Sequence, residues 1–154
     1  MRAKVSAGIL LWRATPDLEV LLVHPGGPYW AGKDLDSWSI PKGEPDDSED
    51  LESAARREFA EETGFPVPDA VLLDLGSVVS RSDKTISAWA VEGDLDASGT
   101  VSNTFEMEWP PRSGKIGTFP ENDRAEWFSI EDARPRLRAP QNEFLGRLVQ
   151  ALAK

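Results

Sequence analysis

Three glutamates near the middle of the chain have the types and spacing for metal-assisted chemistry. Glu58, Glu61 and Glu62 lie at i, i+3 and i+4, so a helix would place their side chains on one face. Like charges at this spacing destabilise a helix by about 0.2–0.5 kcal/mol per pair. A divalent cation with oxygen ligands, above all Mg²⁺, is the natural counter-charge. Such an ion can polarise phosphoryl oxygens and activate a bound water.

The direction of this carboxylate face follows from helical geometry. At about 100° per residue, Leu51, Ala54 and Ala55 fall on the same side of the helix as the three glutamates. The apolar stripe that should dock on the core therefore continues as the carboxylate face, which we expect at the edge of the core. The alternative is a solvated acidic helix end, which is the usual setting of a charge run.

The elements around the glutamates can also be predicted from sequence. Asp47 or Ser48 is expected to cap the start of the helix, and Gly64 is expected to end it in the left-handed conformation. Ahead of the helix, residues 38–40 read as a strand and residues 41–43 as a turn whose glycine permits close approach to a ligand. The predicted unit is strand, glycine loop and acidic helix.

This stretch, residues 43–65, resembles the Nudix box. The required residues occur at every specified position: Gly43, Glu49, Arg57, Glu58, Phe59, Glu61, Glu62, Gly64 and Phe65. The resemblance implies a metal-dependent hydrolase that cleaves a diphosphate in a nucleoside diphosphate linked to another group. It also implies an α/β (α+β) fold, namely an α/β/α sandwich with a mixed sheet.

The same resemblance implies roles for individual residues. Glu61 and Glu62 would be the main metal ligands, with Glu58 beside them and the Gly43 carbonyl as a further ligand. The metal would be Mg²⁺, with Mn²⁺ as a possible substitute. Arg57 matches a position that pairs with Glu49 to fix the loop against the helix. Helical geometry agrees, because Arg57 leaves the carboxylate face by about 100°.

Family members often use another carboxylate, from a later strand or loop, as base or extra ligand. The candidates are Glu106, Glu108 and Glu121, and we favour Glu106 because we expect its strand to enter the site from that end. Exposed strand carboxylates are the alternative interpretation. Three cations could hold phosphates: Lys42, next to the glycine loop, and Arg112 and Lys115, for which a solvated loop is the favoured interpretation.

A loop rich in glycine and proline, residues 24–30, carries two aromatic residues. Tyr29 and Trp30 could stack on a nucleobase and form a wall of the substrate pocket, or they could pack in a surface loop. His24 is the only histidine. It could serve as a general base, although a structural role at the end of a strand is the favoured interpretation.

Composition limits the remaining possibilities. With 154 residues, the chain is expected to form a single domain, 1–154. A net charge of −10 argues against a nucleic-acid polymer as partner, and the absence of cysteine excludes disulfides and thiol chemistry. The N-terminus is not typical of a signal peptide, and no apolar run reaches the ~20 residues that span a bilayer. We therefore expect a cytoplasmic protein, monomeric or homodimeric, without membrane contact.

Alternating and apolar runs predict the other elements. Strands are expected at residues 5–13, 19–24, 71–80, 85–91, 103–109 and 124–128, with a turn at 15–17 and a mobile loop at 110–115. Helices are expected at residues 130–136, capped by Ser129, and at 141–151.

The preferred substrate is less clearly indicated. The run WSIPKG, residues 38–43, resembles polyphosphate hydrolases that read W-x-x-P-K-G before the box. Members that resemble ADP-ribose pyrophosphatases carry a proline beyond the box, and residues 78–81 here lack one. A nucleoside triphosphate or dinucleoside polyphosphate is therefore the first hypothesis. An ADP-ribose or nucleotide-sugar pyrophosphatase is the second, and a nucleotide-sensing module without turnover is the third.

Overall fold

A computed structural model describes residues 4–14 and 16–154. The regular elements within these ranges are β1 (Val5–Ala14), β2 (Leu18–Pro25), β3 (Lys42–Gly43), α1 (Leu51–Thr63), β4 (Leu73–Val79), β5 (Thr85–Glu92), a short 3₁₀ turn (Ala97–Gly99), β6 (Thr104–Glu108), β7 (Ile116–Pro120), β8 (Asn122–Ser129), α2 (Ile130–Arg136) and α3 (Glu143–Leu152).

Most of the strands form one mixed sheet. Its order is β4-β5-β1-β2-β8, and β3 pairs with β1 outside this path. β1 and β5 are parallel, whereas the β1–β2, β1–β3, β2–β8 and β4–β5 pairs are antiparallel. β6 and β7 form a separate two-stranded ribbon. The predicted mixed sheet is confirmed.

Alternate residues of β1 supply two cores, one on each face of the sheet. Ile9 and Leu11 are fully buried and pack in the cluster that contains Phe59 of α1. Leu10 points to the opposite face, where Phe144 of α3 and neighbouring side chains cover the sheet. Period-two alternation in the strand thus produces the helix–sheet–helix layering. The predicted sandwich is confirmed.

Two local predictions around the box are wrong. Residues 38–40 do not form a strand, because Trp38 and Ser39 make only isolated bridges and the Ile40 N–H donates to the Gln141 side chain at 3.0 Å. The short strand β3 lies instead at Lys42–Gly43, where a turn was expected. Pairing with β1 fixes the glycine loop to the centre of the sheet.

The remaining predictions agree with the structure to within two residues at nearly every boundary. β7 was missed, because its residues follow a loop that the sequence marks as irregular. The expected turn at 15–17 connects the antiparallel pair β1 and β2, although Thr15 itself lies outside the described residues, as do residues 1–3. Within the described chain, no helix has the length and apolar character needed to cross a membrane.

Candidate active site

The ends of α1 are set by specific caps. Asp50, and not Asp47 or Ser48 as predicted, is the N-cap, and its carboxylate accepts the Ser53 N–H at 3.1 Å. The helix begins late because residues 47 and 48 form a turn, in which the Glu49 N–H donates to the Asp46 carbonyl at 3.0 Å. Gly64 closes the helix at φ 80° with its N–H on the Ala60 carbonyl, as expected.

The three glutamates lie at the edge of the core to different depths. The Glu58 side chain is 15% exposed and that of Glu61 is 40% exposed. Burial raises the pKa of Glu58, and burial raises the pKa of Glu62 to about 7. Ala54 and Ala55 on the same face are fully buried. The predicted orientation is therefore confirmed, with Glu61 nearest to solvent.

Arg57 binds four groups of the glycine loop and helix. It forms a bidentate pair with Glu49, at 3.0 Å from Nε to Oε2 and 2.9 Å from Nη2 to Oε1, which lowers the pKa of Glu49. Nη2 also donates to the Glu44 carbonyl at 3.1 Å. Nη1 donates to Glu58 at 2.9 Å and to Glu61 at 3.2 Å. Arg57 is thus positioned to brace the loop against α1.

The Glu58 carboxylate lies in the space beside Gly43. A Cβ added at Gly43 would collide with this flexible carboxylate and displace it, so the glycine leaves room for Glu58 in its present position. Oxygen donors of this kind are those that Mg²⁺ and Mn²⁺ prefer. In donor chemistry, the residues therefore fit a divalent cation.

The carboxylates do not converge on one point in this arrangement. Within residues 4–14 and 16–154, no group of three acidic or histidine side chains is close enough to hold a metal. The physical reason lies in their present partners. The Arg57 cation bonds to Glu58 and Glu61, while Glu62 accepts the Asn122 side-chain N–H at 3.0 Å. Metal binding requires some of these hydrogen bonds to be exchanged.

A small polar cavity adjoins Glu62. It has a volume of about 110 Å³ and is lined by Pro25, Ser39, Lys42, Glu62, Asn122 and Arg138. Burial is the main cause that lowers the pKa of Lys42, and the Lys84 charge is the next. Lys42, which the sequence singled out, therefore lies beside the carboxylate face.

A larger apolar pocket lies next to this cavity and shares Pro25 with it. Its volume is about 350 Å³, and its lining is Pro25, Gly26, Gly27, Tyr29, Trp30, Phe105, Met107 and Glu121. Tyr29 and Trp30 contact edge to face, with ring centroids 5.2 Å apart. Both predicted aromatic residues thus line one pocket, although Tyr29 is 63% exposed.

The three candidate bases occupy different surroundings. Glu106 is exposed on β6 and points away from the strand face that carries Phe105 and Met107. Glu108 accepts the backbone N–H groups of Arg112 and Gly114, each at 3.0 Å, so it stabilises the loop at 110–115. Glu121 lines the apolar pocket, and its charge contributes to the raised pKa of Glu58. The geometry favours Glu121 over Glu106.

Other sequence candidates lie away from the glutamates or have structural partners. Arg112 and Lys115 are exposed in the loop between β6 and β7 and line none of these cavities. His24 is fully buried, and its ring nitrogens lie 3.0 Å from Asp123 and 2.6 Å from the Lys33 carbonyl. The structural role favoured for His24 agrees with these contacts.

Sequence reasoning missed four residues that the structure brings to the site: Phe105, Met107, Asn122 and Arg138. Phe105 and Met107 alternate with Glu106 and Glu108, so the apolar face of this strand carried a usable signal. Asn122 and Arg138 arrive from distant segments, and nothing local in the sequence marks them.

Comparison with known proteins places the chain in a family. The NUDIX domain family model matches residues 2–151. The chain belongs to the NUDIX domain family. An RNA pyrophosphohydrolase from Caulobacter vibrioides is 48% identical over 54 residues, which are 32% of this chain and 31% of that protein. A putative nudix hydrolase 1 from Caenorhabditis elegans is 28% identical over 145 residues, covering 93% of this chain and 32% of that protein. This chain spans about a third of the length of each of these two curated relatives.

Solved structures of other proteins show the same fold. An Ap4A hydrolase from C. elegans, determined as a binary complex, has a TM-score of 0.68 at 21% identity and covers 96% of this chain and 98% of its own. The NUDIX domain of Shewanella oneidensis NrtR, complexed with ADP ribose, has a TM-score of 0.66 at 17% identity and covers 99% and 90%. Identities this low support the fold alone.

Proposed function

We propose that the chain is a divalent-cation-dependent pyrophosphohydrolase that cleaves a phosphoanhydride in a nucleoside triphosphate or dinucleoside polyphosphate. One observation supports this proposal above all. The glutamates at the edge of the core adjoin a small cavity that contains two cations, and this cavity lies next to an apolar pocket of about 350 Å³. Charge-neutralising groups and a base-sized apolar pocket are what hydrolysis of a nucleotide anhydride requires.

The metal would be held by the Gly43 carbonyl and by the carboxylates of Glu58, Glu61 and Glu62. When bound, Mg²⁺ or Mn²⁺ would neutralise phosphate charge and lower the pKa of a water ligand. The rest of the task falls to side chains of this chain. Arg57 holds the glycine loop and α1 in register through Glu49, so the ligands keep their relative positions.

Glu121 is the proposed proton acceptor for the attacking water. It borders the apolar pocket, and its backbone is fixed on both sides. The Glu121 N–H donates to the Asn103 carbonyl, and its carbonyl accepts the Gly26 N–H, each at 2.8 Å. A carboxylate on so well-held a backbone can be positioned toward the substrate, whereas Glu106 lies on the exposed strand face.

Tyr29 and Trp30 are proposed to contact the nucleobase, and Lys42 a phosphate. The NUDIX structures similar to this chain include an Ap4A hydrolase and a domain complexed with ADP ribose, so both substrate classes stay in the test. The W-x-x-P-K-G run favours the polyphosphate class. The RNA pyrophosphohydrolase relative adds 5′-triphosphorylated RNA as a comparison substrate, although the net charge of −10 disfavours a polymer. A cytoplasmic location and a monomeric or homodimeric state remain predictions.

A substrate panel tests the proposal. ATP, diadenosine tetraphosphate, ADP-ribose, a nucleotide sugar and 5′-triphosphorylated RNA would be assayed by phosphate release, with product masses in ¹⁸O water. We expect Mg²⁺-dependent turnover of the first two above the others. A nucleotide-sensing module without turnover would bind these ligands and hydrolyse none of them. In parallel, Mg²⁺ should raise the melting temperature of the wild-type protein, and a purely structural acidic helix would show no such rise.

A further inference from the structure

Arg138 differs from most arginines of this acidic chain in having no carboxylate partner. Within the described residues, its guanidinium makes no ion pair, and its Nε is buried without a hydrogen-bond partner. Burial lowers its pKa, opposed only by the charge of Asp36. The partnered arginines are Arg13, Arg56, Arg57, Arg81, Arg124, Arg136 and Arg147.

The position of Arg138 connects the two cavities of the site. Its guanidinium carbon lies 4.2 Å from the centroid of the Trp30 ring, which lines the apolar pocket. Its side chain also lines the small cavity, together with Lys42 and Glu62. The positive charge of Arg138 contributes to the lowered pKa of Lys42. Two half-buried cations therefore share one cavity.

Such an arrangement is unfavourable without an anion. Burying a charge without a partner is costly, and a neighbouring like charge adds to the cost. Among the residues that the structure describes, Glu62 is the only carboxylate that lines the small cavity, and it is also a proposed metal ligand. At about 110 Å³ the cavity is too small for a nucleoside, because ligand pockets typically measure about 300–1,000 Å³. A single phosphate group fits its size and charge.

We propose that Arg138 and Lys42 form a subsite for a phosphate outside the scissile linkage, so that the preferred substrate carries at least three phosphates in a chain. This inference rests on the proposed function. A divalent cation held by the glutamates would neutralise charge on the phosphates that flank the broken bond, which leaves Arg138 and Lys42 available for a further phosphate. A nucleotide sugar has no third phosphate for the Arg138 subsite, whereas a nucleoside triphosphate or dinucleoside polyphosphate has one.

The kinetic test compares Arg138→Gln with a matched control, Arg134→Gln, which removes the same charge from an exposed position of α2. Charge-assisted hydrogen bonds are the strong ones. We therefore expect Arg138→Gln to lower kcat/KM for ATP and diadenosine tetraphosphate by about 10- to 100-fold and for ADP-ribose by less than about threefold. Arg134→Gln should leave both unchanged. An equal fall for the triphosphate and diphosphate substrates would overturn the subsite.

A second measurement needs no turnover. Inorganic tripolyphosphate, added in the presence of EDTA, should raise the melting temperature of the wild-type protein and of Arg134→Gln. The rise should be absent in Arg138→Gln and reduced in Arg138→Lys, which keeps the charge but loses the planar fork. An equal rise in Arg138→Gln, or none in the wild type, would refute the subsite even if nucleotides are hydrolysed. A rise that depends on Arg138 in a protein without turnover would refute the proposed function and leave the subsite standing.

The Arg138→Gln variant should also differ from the wild type in thermal stability. Because it removes an unpaired, half-buried charge next to Lys42, the Gln variant should melt at or above the wild-type temperature in the absence of ligand. A clear fall in melting temperature would instead assign Arg138 a structural role through its contact with Trp30.

Discussion

Arg57 bonds to Glu58 and Glu61, and Arg138 lines a cavity together with Glu62, but the surroundings of the two arginines differ. On the α1 wall, formed by Arg57, Glu58, Glu61 and Glu62, the arginine is surrounded by carboxylates. On the cation wall, formed by Lys42 and Arg138, the arginine makes no ion pair with a carboxylate among the described residues, and its Nε has no hydrogen-bond partner. A paired arginine fixes the positions of its partners, whereas an unpaired one keeps its donors for a ligand. Charge pairing thus separates the bracing residue from the proposed binding residue.

The two walls also differ in their origin along the chain. The carboxylates of the α1 wall come from five consecutive residues, 58–62, of one capped helix. The cation wall joins Lys42, in β3, to Arg138, which follows α2 and is attached to Trp38 by a backbone hydrogen bond of 2.9 Å. Local sequence therefore sets the first wall, and tertiary packing sets the second.

The largest effect is expected on the α1 wall. Glu61→Gln should reduce hydrolysis by more than about 100-fold, because losing a ligand should cost at least as much as losing its supporting residues. Its melting temperature should change little, since a pair as exposed as Arg57–Glu61 contributes about 0–1 kcal/mol. Steady-state rates and thermal melts measure both. Equal turnover by the variant would remove Glu61 from the proposed ligands.

The second prediction distinguishes Glu121 from Glu106 as the general base. Glu121→Gln should lower kcat by about 10- to 100-fold, as expected when a general base is lost, whereas Glu106→Gln should remain within about twofold. The comparison is well matched, because both changes remove one negative charge near the β6–β7 ribbon. The reverse ranking would restore Glu106 to the site.

The sequence predicts the α1 wall better than the cation wall, because the first depends on contacts between residues close together in the chain and the second on contacts between distant ones. The box could be read residue by residue, because helix spacing, Gly64 and the apolar stripe are local properties. The N-cap was misplaced by two or three residues because Asp47, Ser48 and Asp50 are all competent caps. Arg138 could not be foreseen, since its burial and lack of a partner depend on where the chain folds after α2.

Glu106 shows a different limit of sequence reasoning. Alternation along β6 correctly put Glu106 and Glu108 on one face, but it could not say which face borders the pocket. In the structure, Phe105 and Met107 line the pocket, whereas Glu106 does not. Which of two strand faces meets a ligand is a tertiary property.

Glu62 gives a pH-dependent effect on stability. Burial raises its pKa in the folded protein to about 7, from an ordinary value of 4.5. The folded state therefore binds the proton more tightly, and stability falls as pH rises from about 4.5 to about 7. Above pH 7 the loss is complete. Glu62→Gln should be as stable as the wild type near pH 4.5 and about 1–3 kcal/mol more stable at pH 8.

Urea unfolding in EDTA at pH 5 and pH 8 would measure this difference. Glu52→Gln on the exposed side of α1 is the control, and it should show no comparable gain. A pH-independent difference for Glu62→Gln would mean that the carboxylate is well solvated and not held at the edge of the core. The gain in stability of Glu62→Gln should accompany a loss of hydrolysis, because the buried Glu62 carboxylate that lowers stability is also a proposed metal ligand.

The smallest effect tests the apolar pocket. Stacking of a base on an aromatic ring contributes about 1–3 kcal/mol, so Trp30→Ala should raise KM for ATP about 10-fold and leave kcat within about threefold. Trp109→Ala is a suitable control, because Trp109 is also partly exposed but lies outside the pocket. Since the Trp30 ring also contacts Arg138, tripolyphosphate binding in EDTA should be measured on the same variant. Retained tripolyphosphate binding with a raised KM would assign Trp30 to the base. A raised KM together with loss of tripolyphosphate binding would show that Trp30 acts by holding Arg138 in place, and not by stacking on the base.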